Sequence, residues 1–146
     1  DSTGAVTMPL QPAFLARPAS DQVNIAATTQ TVLFGTEVFD QNADFASNTF
    51  TAPVTGKYHL ETQLRLENVD SGASYYILDI LTSNRSYHFL FNPSRFSGDL
   101  TYWAITSTAL ADMDAGDTAY VRIQQANGAV QTDISSSSHF SGFLAC

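Results

Sequence analysis

The sequence predicts an all-β domain, a jelly-roll β-sandwich of about eight to ten short antiparallel strands. Three observations point there. Aromatic residues reach 12%, Ser and Thr are abundant and Gly is dispersed, a composition suited to pleated, half-buried surfaces. No stretch holds an apolar stripe at helical spacing free of β-branched and turn residues. Turn-forming residues, finally, punctuate the chain at short intervals throughout.

The elements follow in order. The first residues are small and polar and Pro9 and Pro12 come next, so 1–11 is expected to be an extended lead-in segment or stalk end, and 12–146 a single domain. Residues 13–16 and 31–39 are expected to be strands, then 48–51, closed by a turn at Pro53 and Gly56. The most regular signal is 57–69, where Tyr58, Leu60, Thr62, Leu64, Leu66 and Asn68 share one face and His59, Glu61, Gln63, Arg65 and Glu67 the other. That is a strand with one wet face. Residues 75–82 are apolar at nearly every position, the pattern of a strand buried on both faces, and end in the turn Ser83-Asn84-Arg85-Ser86. Strands over 87–91, 100–113 and 118–125 follow, separated by the polar loop 92–99 and the turn Asp114-Ala115-Gly116-Asp117. Asn127-Gly128 opens a loop that runs to the last strand, 139–145.

Charge excludes several function classes. The chain carries 14 acidic and 6 basic residues for a net charge of −8, Lys57 is its lone lysine, and the arginines Arg17, Arg65, Arg85, Arg95 and Arg122 are scattered. Nucleic acid and anionic membrane surfaces are gripped by clustered basic residues, so neither is an expected partner. No apolar run approaches the roughly 18–20 residues that span a bilayer, so membrane insertion is not expected. The one cysteine, Cys146, supports neither a disulfide framework nor a Cys-based zinc site.

Catalytic chemistry finds little support, and no enzyme is expected. His59, His88 and His139 fall on three different expected strands without ligand spacing. Ser141 lies on a terminal strand and lacks the G-x-S-x-G setting of a nucleophile elbow. Asp112, Asp114 and Asp117 cluster on a turn, where carboxylates either accept backbone N–H bonds or hold calcium. No cofactor is expected otherwise. Asn84-Arg85-Ser86 has the form of a glycosylation sequon, read here as a hairpin turn.

Three segments together resemble the globular heads of the complement C1q family, which share a jelly roll with the tumour necrosis factor superfamily. They are Phe50-Thr-Ala-Pro-Val-Thr-Gly56-Lys57-Tyr58, the Leu110 to Asp117 turn leading into Tyr120-Val121, and Ser138-His139-Phe140-Ser141-Gly142-Phe143-Leu144. Phe34 to Phe39 adds a fourth, weaker point of likeness. The resemblance implies a homotrimer around a threefold axis, and since some such heads bind calcium it keeps that ion open. The segment Gly4 to Ala16 is similar to the lead-in of C1q-like tips on bacteriophage fibres, which implies a fibre shaft or other virion protein upstream and a place on the virion surface.

In a jelly roll successive strands run up and down, so alternate loops share one apex. The count puts 68–72, 92–99 and 127–137 at the apex, and 83–86 and 114–117 at the stalk end. The expected ligand-binding residues are therefore Asp70, Arg95, Phe96, Asp99, Asn127, Gln131 and Asp133, with Tyr102 and Trp103 beside the middle loop. Hydrogen-bonding groups around a few aromatics suit a host-surface glycan or protein. The sequence thus reads as a non-enzymatic trimeric virion knob; the alternatives are a secreted C1q-like adhesion or lectin-like head and a purely structural capsid or fibre cap.

Overall fold

The computed structural model describes Gly4 and residues 8–146; the other residues of the expected lead-in segment lie outside the described part. Among the described residues twelve strands form two antiparallel sheets. The first sheet runs in the order β9 (Leu100–Met113), β6 (Gly56–Val69), β12 (His139–Leu144), β1 (Ala13–Arg17) and β3 (Thr36–Asp40), and the two-residue β11 (Asp133–Ile134) pairs with β6 beyond the end of β12. The second runs β8 (Ser86–Phe91), β7 (Tyr75–Thr82), β10 (Thr118–Ala126), whose far edge is shared by β5 (Thr49–Thr51) and β2 (Thr29–Thr31), with β4 (Phe45–Ala46) outside β5.

Between the sheets lies one core, built by the period-two alternation of the strands that face it. Tyr58, Leu60, Leu64 and Leu66 of β6 point inward as their spacing requires, opposite Tyr76, Leu78 and Ile80 of β7 and Val121 and Ile123 of β10. Thr62 occupies an inward position too, and its hydroxyl donates to the His139 carbonyl at 2.8 Å, which removes the cost of burying it. Phe14, Phe50 and Phe140 close one end: Phe14 stacks on Phe50 at 4.8 Å and meets Phe140 edge-on at 5.0 Å. Gly142 is required here, because a Cβ would sit 2.7 Å from Leu60 and 2.8 Å from Phe14.

Three expectations need correction. Residues 31–39 are not one strand: β2 belongs to the second sheet and β3 to the first, and the chain crosses between them with Val32 and Phe34 buried in the core. Phe39, read as part of that strand, stands 50% exposed on the first sheet. The alternation of 57–69 breaks at its end, where Asn68 adopts φ 53° and turns outward, and Val69 takes the buried position. In the 75–82 strand, double burial is real only at its centre, since Tyr75, Ile77 and Leu81 are half-exposed. Asp79 is the residue buried there on the outer side, held between Arg122 Nη2 at 3.0 Å and His88 Nδ1 on the flanking strands. β4 and β11 are too short to leave a periodic signal, and neither was expected.

Candidate functional site

β6 is 14 residues long and so carries the chain about 45 Å from the base to the opposite end. There the three loops expected at the apex do converge. Asp70, immediately after β6, is 7% exposed. Its N–H is directed at the Tyr76 hydroxyl (3.2 Å) and at Thr132 Oγ1 (3.4 Å), which are themselves 2.7 Å apart. Its carboxylate accepts the Gly72 N–H at 2.8 Å on one oxygen and the Ala129 N–H at 2.5 Å on the other. Burial pushes the Tyr76 hydroxyl above its ordinary pKa, so it stays a donor. Asp70 is therefore a positioning residue that ties the 68–72 loop to the 127–137 loop.

Asp99 brings in the third loop. One oxygen accepts both the Ser71 hydroxyl (2.7 Å) and the Ser71 N–H (2.8 Å); the other accepts Gln131 Nε2 at 2.8 Å. These bonds favour the charged form, with the Ser71 hydroxyl and then Gln131 the largest causes, and hold Asp99 at a pKa of about 2. A carboxylate whose folded pKa lies below its unfolded value contributes stability above that unfolded value and loses it as pH falls through the folded one. For Asp99 that window runs from the ordinary 3.8 down to about 2. Amide resonances of Ser71 and the side-chain amide of Gln131 are expected to shift with a midpoint near 2; a midpoint near the ordinary value would show the bonds do not form.

Asp133 and Asn127 also serve the loops. Asp133 accepts the Asn24 N–H at 2.7 Å and Asn68 Nδ2 at 2.9 Å; Asn127, at φ 62°, donates to Ser74 Oγ at 3.1 Å. Arg95 ends a 3-10 turn, Pro93–Arg95, whose N-cap Asn92 accepts the Ser94 N–H. It is exposed, and among the described residues it is the arginine that forms neither a hydrogen bond nor an ion pair. The three aromatics separate. Trp103 turns into the gap between the sheets, 6.0 Å from Phe91 and 5.2 Å from Phe96, which packs on it edge-on. Tyr102 points the other way, onto the outer face of the first sheet, under the Arg65 guanidinium at 4.7 Å. Arg65, which the candidate set lacked, is detectable as the cation on the wet face of β6, and it also pairs with Glu67 at 3.2 Å.

At the base the acidic turn is internally engaged. Asp112 pairs with Arg85 at 2.7 Å, and Asp117 Oδ2 accepts Asn84 Nδ2 (2.9 Å) and the Asp114 N–H (2.8 Å). Among the described residues no three His, Cys, Asp or Glu side chains are placed to share a metal ion. Asn84 Nδ2 donates a second bond to the Asp112 carbonyl at 3.0 Å, so the sequon amide holds the hairpin turn.

A second surface emerges that loop counting missed. On the outer face of the first sheet, β9 and β12 carry Leu110 (63% exposed), Tyr102 (59%) and Phe143 (45%), and β3 carries Phe39. Leu110 and Phe143 flank His59 in register, and the His59 ring stacks on Phe143 at 5.1 Å. A shallow cavity of about 320 Å³ opens there, lined by Leu15, Phe39, His59, Glu61, His139 and Phe143. The signal was present in the sequence: Leu110 and Phe143 sit at the parity that in a one-sided sheet belongs to polar residues.

Two antiparallel sheets over one core, loops tied at one end and an apolar outer face on one sheet define a jelly-roll β-sandwich. The chain belongs to the C1q domain family, whose model matches residues 13–145. Among solved structures it is similar to the globular domain of zebrafish complement 1qA protein, with 24% identity and a TM-score of 0.64 over 92% of this chain and 98% of that one. Murine APRIL is similar over the same shares at 14% identity and a TM-score of 0.64. Among curated protein sequences none matches. No helix among the described residues is long and apolar enough to cross a membrane.

Proposed function

We propose that this chain is a non-enzymatic homotrimeric head, the knob of a viral fibre, that caps and trimerises the shaft and presents its apex loops to a host-surface glycan or protein. The observation that carries the reading is the apolar outer face of the first sheet. A core-forming domain that leaves Leu110, Phe143 and Phe39 this open has a face suited to burial against a copy of itself. A closed threefold ring needs heterologous contacts, one patch meeting a different patch on the next copy. The edge strand β8 offers the second patch, with Leu90 57% and Phe89 39% exposed. Gln11, whose Nε2 bonds the Leu144 carbonyl, lies at the base, so a shaft joining there leaves the opposite loops facing outward, as on a virion surface. Three weak sites on one knob bind with avidity and need no deep pocket.

The test has two parts. Light scattering should give a particle near three times 15.8 kDa, and repeating it with a chelator asks whether calcium takes part in assembly. A double variant, Arg95→Ala with Phe96→Ala, is expected to keep that mass while lowering binding to a glycan array or host envelope by about ten-fold, or 1.4 kcal/mol. Undiminished binding would make the knob a structural cap only.

A further inference from the structure

We propose that the outer face of the first sheet is an acid-sensitive self-association surface, in which subunits pack only while His59 is neutral; the inference rests on the trimeric reading above. His59 lies between two apolar neighbours, stacked on Phe143 at an interplanar angle of 27° and paired in register with Leu110. The charged groups around it are few. On β6 they are Lys57 and Glu61, two residues to either side; on β9, Asp112, diagonal to it and held by Arg85 at 2.7 Å; β12 faces it with the uncharged Phe143 and Ser141. Glu61, the nearest free acid, is approached by the other imidazole of this face, His139 Nε2, at 3.9 Å. His59 itself forms no ion pair among the described residues.

In a free subunit His59 is partly open to water. Under a neighbouring subunit the charged ring would lose that water without gaining an acid, which penalises the charged form. Free subunits therefore bind more protons than assembled ones, and by linkage acid drives the equilibrium towards them. Imidazoles as a class change charge between about pH 5 and 8, and a ring of three copies brings three such groups into one assembly, so the transition is steep. His88 is the imidazole of the other sheet. It lies on β8 beside Asp79 and Arg122, next to the second patch, so the imidazole that titrates in the assembly is identified by the His59 variants alone.

The experiment is light scattering on the whole chain at about pH 8 and about pH 5.5, a pair that brackets imidazole titration, with far-UV circular dichroism at both. The wild-type protein is expected to have the threefold mass at the higher pH and the single-subunit mass at the lower, with its β-sheet spectrum retained. His59→Gln and His59→Phe, neither of which takes up a proton, should hold the threefold mass at both. A wild-type trimer that survives at the lower pH overturns the inference and leaves the trimer standing, as does dissociation of both His59 variants in step with the wild type. Loss of the sheet spectrum at the lower pH overturns it as well. A single-subunit mass at the higher pH overturns the trimeric reading and this inference with it.

Discussion

Replacing Asp70 with alanine is expected to lower the unfolding free energy by about 2–4 kcal/mol, among the larger single-residue losses available outside the hydrophobic core. The substitution removes the acceptor of two partly buried backbone bonds, from the Gly72 and Ala129 N–H groups, and a hydrogen bond to a charged group contributes about 1.5–3 kcal/mol. Asparagine does not rescue it, because one of the two N–H groups would then face an amide NH2. Gly128 belongs to the same device. It sits at φ +83°, and a Cβ there would come within 2.1 Å of Asp70 Oδ2 and 2.9 Å of the Ala73 nitrogen. Gly128→Ala is therefore expected to destabilise strongly alone, and less when Asp70 is already alanine, since one of its two collisions is gone. Urea unfolding of the wild type, both single variants and the double variant measures that coupling, expected to exceed about 0.5 kcal/mol. Strictly additive losses would mean that Gly128 and Asp70 act separately.

What was legible in the sequence, and what was not, divides along the range of the interactions. Strands whose burial alternates over many residues, such as β6, β9 and β10, announce themselves locally, and counting them up and down brought the 68–72, 92–99 and 127–137 loops to one end. The role of Asp70 had no local signal, because it depends on Tyr76 and on Thr132, which is 62 residues away along the chain. An exposed apex carboxylate and a buried loop tie look alike until the partners are placed. Trp103 shows the same limit from the other side: beside a polar loop, its parity on β9 turns it inward onto Phe91 and Phe96 while Tyr102 turns out. Val32 and Phe34 misled for a physical reason too, since residues that fill the gap between two sheets alternate just as residues of a strand do.

Parity on β12 leads to the second large effect. Phe140 and Phe143 are both apolar residues of one six-residue strand, yet Phe140 is fully buried against Phe14 and Phe143 is 45% exposed beside His59. Phe140→Ala should cost about 3–5 kcal/mol of stability, as truncation of a buried aromatic ring does. Phe143→Glu should behave oppositely. Its side chain points away from the core, so a single subunit is expected to keep its fold within about 1 kcal/mol, as surface substitutions do. Assembly is another matter, because a trimer would have to bury three unpaired carboxylates on its interfaces, each carrying a desolvation cost of several kcal/mol. The expected result is a folded particle of single-subunit mass at concentrations where the wild type is trimeric, read by light scattering alongside a thermal melt. Because dilution alone also favours single subunits, wild type and variant are compared at equal protein concentration. A Phe143→Glu protein that retains the threefold mass would show that subunits meet through some other surface, and the apolar outer face would then need a different partner.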